Sequence, residues 1–325
     1  MPLTTGREPR VAIIGATGTV GSQITDLIGE REFPCAELKL FATEAGSFDS
    51  VESGGAKHSV SRMSAASDLA AFDIAFLAVP EARAIEIIDE WPGPVLIDLS
   101  AANRTPGKAP LVAPGLVSRE RVQELKAHKL FATAHPAAQV IATVLSALGH
   151  GAGFAGATVI TGASAGGRER VSDLFNQTAD LLNARLNIAD NEAQLAFNLF
   201  MPPRGDEISD AIAAQVAMLV AGAPAVAVQL VQAPVFHGGA VAISVPAAAS
   251  SAPDEWIARM RAAPGILFIE GDDPAGFVDA VGQEAVIVRM KRNAAGAVFW
   301  CVFDSARVAA VSALWIAESL WFTFS

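Results

Sequence analysis

The chain has 325 residues, 52% of them apolar and 18% charged, which is material for two packed domains and excludes disordered and fibrous classes. Lys and Arg total 23 against 34 Asp and Glu, a net charge of −11 with no basic tract, so neither nucleic acid nor a membrane is an expected partner. Only two cysteines are present, Cys35 and Cys301, which excludes a disulfide framework; no metal is expected.

Val11, Ala12, Ile13 and Ile14 form an apolar run that stops at Gly15, as a central parallel strand does. Residues 20–30 then space Val20, Ile24, Leu27 and Ile28 helically. Strands at 37–42, 74–79 and 95–99 and a helix at 81–90 continue the alternation, predicting a parallel sheet with helices on both faces over residues 1–134. Beyond it, helices are predicted at 137–148, 168–187 and 208–220, and strands at 157–161, 226–234, 241–245, 285–291 and 298–303. This order reads as an α+β domain with a mixed sheet over residues 135–303. A last helix at 306–322 closes the chain; the C-terminal stretch from about 304 to 325 is assigned to the first domain. Residues 246–254 read as a surface loop. The uncharged stretches at 130–167 and 211–253 are too interrupted to span a bilayer, and residues 1–10 lack an apolar signal core, so a cytoplasmic chain is expected.

The turn after the first strand runs Gly15, Ala16, Thr17, Gly18, Thr19, Val20, Gly21. The first glycine permits the tight turn, the second admits a diphosphate to the backbone, and the third lets helix and strand pack closely. Such a strand–turn–helix is the phosphate-binding element of Rossmann-type domains.

That turn resembles the opening of aspartate-β-semialdehyde dehydrogenases, and the likeness continues over nearly the whole chain. Asp98-Leu99-Ser100 through Arg104, the turn at Pro110–Pro114, Ser164-Ala165-Gly166-Gly167, Ala196-Phe197-Asn198, Pro234-Val235-Phe236 and Asp304 through Arg307 each resemble a landmark of that family, in order. The resemblance implies an α/β fold: a Rossmann-type parallel-sheet dinucleotide-binding domain plus an α+β dimerisation domain. It also implies a homodimer through the second domain's sheet and the helix at 168–187. NAD or NADP is the implied cofactor, met by Gly15, Thr17, Gly18, Thr19, Val20, Thr43, Glu44, Ser100 and Arg104.

The chemistry the resemblance implies needs a thiolate that attacks the aldehyde and a histidine as acid and base. Aligned on Pro136, the family's cysteine position holds Ala138 and its asparagine position His135; the histidine position falls at Gly239 and the substrate arginine at Gln232. His237 reads as a relocated base or an ordinary loop histidine. Arg104 reads as an anion ligand or as a brace of the domain interface through carboxylates. The family's arginine for the NADP 2′-phosphate is missing near Glu44, which leaves NAD, NADP or no dinucleotide open. The pattern resembles the Usg-type paralogues of the family, which keep the fold without the nucleophile. Two functions are carried forward: a dimeric binding or assembly protein with an unidentified protein or small-molecule partner, and an oxidoreductase that uses His237 or His135 without covalent catalysis.

Overall fold

A computed structural model describes residues 7–42, 50–53, 56–91, 93–149, 153–185, 193–246, 253–271 and 275–322. The chain divides into two compact units, Met1–His135 with Ala309–Ser325, and Pro136–Val308.

The first unit runs β1 (Arg10–Ile14), α1 (Thr19–Glu30), β2 (Glu37–Ala42), β3 (Ser50–Ser53), β4 (Ala56–Arg62), β5 (Ile74–Leu77), α2 (Glu81–Asp89), β6 (Val95–Asp98), β7 (Leu111–Val112), α3 (Arg119–Glu124) and β8 (Leu130–Thr133). Its sheet has the order β3-β4-β2-β1-β5-β6-β8-β7, parallel throughout except for the β3–β4 pair. The pleat sends Val11 and Ile13 into one core, with Ile24, Leu27 and Phe131, and Ala12 and Ile14 into the other, with Phe41, Leu77 and Ile87. A strand buried on both faces has no polar side to show, which is why β1 reads as an unbroken apolar run. Each fully buried Ile or Phe stabilises the sheet by roughly 1.5–3 kcal/mol.

The second unit contains α4 (Pro136–Leu148), β9 (Phe154–Thr161), α5 (Gly167–Leu182), α6 (Gly205–Leu219), β10 (Ala225–Gln232), β11 (Gly239–Pro246), α7 (Pro253–Ala262), β12 (Ile266–Ile269), α8 (Phe277–Ala280), β13 (Val286–Asn293) and β14 (Gly296–Phe303). Its six strands take the order β10-β9-β11-β14-β13-β12, with parallel pairs at the two ends and antiparallel pairs between. On β9 Ala155, Ala157 and Val159 are buried, while Phe154 on the opposite face is half exposed. The last helix, α9 (Ser305–Trp321), is capped by Asp304, whose carboxylate accepts the N–H groups of Ala306, Arg307 and Gly282. Its distal half belongs to the first unit, where the Glu318 carboxylate sits between Arg31 at 3.4 Å and Arg119 at 3.2 Å, and Arg119 lies over the Trp315 ring.

The helix expected to run to residue 187 stops at Leu182. Asn183 turns its amide onto the Ala179 carbonyl, Ala184 takes a φ of 54°, and the Arg185 N–H returns to Asp180 O, a left-handed C-terminal stop. Residues 186–187 lie outside the described ones. Of the stretch expected to be a loop, residues 247–252 are likewise outside, and Pro253 already opens α7. The β3–β4 hairpin, β7, α3, β8, α7, β12 and α8 were not among the predicted elements.

Candidate functional site

Gly15 has a φ of 81°, and a Cβ there would lie 2.2 Å from the Ala78 carbonyl oxygen; one on Gly21 would lie 2.1 Å from Gly15 O. Both positions admit glycine alone, because the turn is pressed against the end of β5 and against α1. Gly18 differs. Its added Cβ would meet only Gly15 O at 3.2 Å and Ala78 O at 3.9 Å, so one side of this residue is open. No side chain caps α1 and no acid occupies its first turn, which leaves the N-terminal end of the helix dipole at Thr19 and Val20 uncompensated. An open glycine beside a bare helix start fits a diphosphate. Thr43 and Glu44, expected to meet the ribose, lie outside the described residues.

At the carboxyl ends of β6 and β8 a second cluster forms. Asp98 accepts the Ser100 N–H and the Asn103 side-chain amide, both at 2.8 Å, and Ser100 Oγ accepts the Ala102 N–H. This folds the loop after β6 into a fixed turn. Arg104 reaches under it: Nε donates to Thr133 O at 2.9 Å and Nη2 to Leu99 O at 2.5 Å. The guanidinium thus braces the ends of two strands through main-chain carbonyls, with the Asp98 and Glu81 carboxylates supplying opposite charge nearby. Burial lowers its pKa to about 10, against the opposing charges of Asp98 and Glu81, so it stays a cation at neutral pH. Burial pushes the neighbouring His135 down to about 3, helped by the Arg104 charge, and its imidazole is neutral in ordinary buffers. The part of Glu81 was missed from the sequence, although its place just past the end of β5 was legible.

In the second unit, Ala138 lies in the first turn of α4 and is fully buried. Gln232 is buried as well, its amide donating to Thr161 O at 3.1 Å and Ala233 O at 3.0 Å, while its backbone pairs with Phe200. Gly162, Ala163 and Ser164 donate their N–H groups to Gly238, Val235 and Phe236, so the Ser164 loop and the turn carrying the exposed His237 are brought together. Gly239 is sealed. A Cβ there would come within 2.8 Å of Ser305 Oγ and 2.9 Å of the Phe303 ring. Burial pushes the thiols of both cysteines up, for Cys35 with help from Glu8, and Cys301 has no exposed surface. Among the described residues no group of three or more His, Cys, Asp or Glu could hold a metal, and no helix is long and apolar enough to cross a membrane.

Residues 10–125 match the family described as "Semialdehyde dehydrogenase, NAD binding domain". The chain is 32% identical to the USG-1 protein homolog of Azotobacter vinelandii, over 95% of this chain and 97% of that protein. It is 33% identical to the USG-1 protein homolog of Pseudomonas aeruginosa, again over 95% and 97%. Among solved structures, the aspartate semialdehyde dehydrogenase II of Vibrio cholerae, complexed with ASA, superposes with a TM-score of 0.86 at 26% identity, covering 97% of this chain and 98% of that one.

Proposed function

The chain belongs to the aspartate-semialdehyde dehydrogenase family, and we propose that within it the protein is a catalytically inactive, dimeric binding or assembly protein of the Usg type. The observation that carries this reading is the pair of positions where the family's chemistry would sit. Ala138, which the sequence resemblance sets at the cysteine's place, is a buried methyl, and Gly239, which it sets at the histidine's, is walled by Phe303 and Ser305. Gln232, at the substrate arginine's place, is committed to two carbonyls. Neither remaining thiol is activated, and neither histidine repairs the loss: His135 is held neutral, and His237 is an exposed turn residue.

The glycine turn of the first unit supports dinucleotide binding. The open face of Gly18 and the uncapped start of α1 would take the diphosphate, with Thr17, Thr19 and Val20 in the same turn and Ser100 on the loop after β6, two strands along the sheet. When bound, the nicotinamide ring supplies a hydride acceptor. NAD is favoured over NADP, because Glu44 follows β2 where an acid accepts ribose hydroxyls and repels a 2′-phosphate. Calorimetric titration of the purified chain with both dinucleotides tests this half of the reading. Tighter binding of NAD is expected, by tenfold or more; equal or tighter NADP binding overturns the preference.

The dimer is argued from exposed surface. Among the described residues, every exposed large hydrophobic side chain except Ile85 belongs to the second unit. Phe175 and Leu182 stand seven residues apart on one stripe of α5, at 64% and 75% exposure, and Phe154 and Val298 emerge from the uncovered sheet face. A patch of this kind is unusual on a monomer, and a second copy covers it in an interface expected to exceed roughly 2,000 Å². Light scattering of dilute protein is expected to give about twice 33.6 kDa. A mass near 33.6 kDa at every concentration overturns the dimer.

A further inference from the structure

The first unit holds a second cavity, of about 470 Å³, far from the glycine turn along the strands. Ile74 and Val95, the first residues of β5 and β6, line it, whereas Gly15 follows the last residue of β1, the parallel neighbour of β5. The cavity and the glycine turn therefore occupy opposite edges of one sheet. Its lining is mixed, with Phe72, Ile74, Pro94, Val95, Leu320 and Trp321 forming the apolar part. Its polar lining is Asp73, Lys126 and Lys129. The volume lies within the span of about 300–1,000 Å³ typical of small-molecule sites.

Charge decides what such a cavity takes. The Asp73 carboxylate is committed, accepting from Arg7 Nη2 at 2.5 Å and from the Arg10 N–H at 2.8 Å. The Trp321 indole N–H is committed too, to the Arg7 carbonyl at 3.2 Å. Lys126 and Lys129 have no carboxylate within ion-pair distance among the described residues. In a chain of net charge −11, two lysines with no carboxylate partner among the described residues thus line one cavity whose own acid is paired. We propose that this cavity binds a small organic anion with a flat apolar body, an aryl carboxylate in the simplest case. The body packs against the accessible part of Trp321, and the carboxylate pairs with the lysine ammonium groups at the cavity's edge. The site is independent of the dinucleotide reading and of the lost catalysis.

The test is a titration of the full-length chain with 2-naphthoate, by calorimetry and by tryptophan fluorescence, beside the uncharged 2-naphthylmethanol. Saturable binding of one naphthoate per chain is expected, with the alcohol at least tenfold weaker, about 1.4 kcal/mol. Lys126→Glu combined with Lys129→Glu is expected to weaken naphthoate by tenfold or more, and Ala70→Phe, which fills the cavity from its rim, to abolish it. All three positions are exposed, so the variants keep the fold, and circular dichroism checks that they do. Absence of saturable binding to the unaltered chain overturns the proposal. So does binding that survives both variants, which places naphthoate on the apolar surface of the second unit.

Discussion

With aspartate semialdehyde, phosphate and NADP, the purified chain is expected to show no turnover that rises with its own concentration. Covalent catalysis needs a thiolate, and removing a nucleophile that works as one unit with its base costs on the order of 10⁶ in rate. Under the proposed reading, the residue at the nucleophile's place is Ala138, which offers a methyl. The thiols of Cys35 and Cys301 are both disfavoured as thiolates, and Cys301 has no surface from which to act. Ala138→Cys alone is expected to stay inactive, since no base is placed to deprotonate the new thiol and Gln232 cannot replace the charge of an arginine. Adding Gly239→His does not complete the site, because even its Cβ would come within 2.8 Å of Ser305 Oγ. Turnover by the unaltered chain that survives a second, orthogonal purification would overturn the reading, and so would rescue by Ala138→Cys alone.

The parts of this molecule that were legible in the sequence are those where one physical demand dominates. β1 had to be apolar on both faces and had to end in glycines that tolerate no Cβ, so Val11 through Gly21 announced both strand and turn. α4 and α9, rich in small apolar residues and buried, announced themselves in the same way. β4, with Lys57, His58, Ser59 and Ser61, has no apolar alternation strong enough to mark a strand; its pairing with β2 and β3 makes it one. α3 is six residues held by the Ser118 cap, too short for a hydrophobic period. α7 does carry a start signal in its sequence, since Pro253, Asp254 and Glu255 are ordinary helix-start residues. At the site, the identities at 138, 232 and 239 were visible as letters. That Gly239 is walled in, and that Arg104 serves two carbonyls, depends on contacts between segments far apart in the chain.

The fold's stability is expected to carry a pH dependence that belongs to His135. Burial and the Arg104 charge hold its imidazole at about 3, against 6.5 for the free side chain. Between those values the unfolded chain binds a proton on this residue that the folded chain refuses. Stability therefore falls as pH drops through 6.5 toward 3, and the contribution to the slope fades out within about a unit above 6.5. The slope approaches about 1.4 kcal/mol per pH unit only well below 6.5, so the loss between pH 6.5 and 4.5 is about 2 kcal/mol. Carboxylates titrate in the same window, so the measurement is a difference: denaturant midpoints of the unaltered chain and of His135→Asn, each across that range. Asparagine cannot take up the proton, and the two curves are expected to converge or cross as pH falls, the variant losing less. An offset between the curves at pH 7 reports only the packing of the new side chain. Curves that stay parallel down to pH 4.5 would show that the folded protein protonates His135 as readily as the unfolded one. In that case the imidazole would be available as a proton carrier after all, which is the one result that would revive a non-covalent oxidoreductase built on this residue.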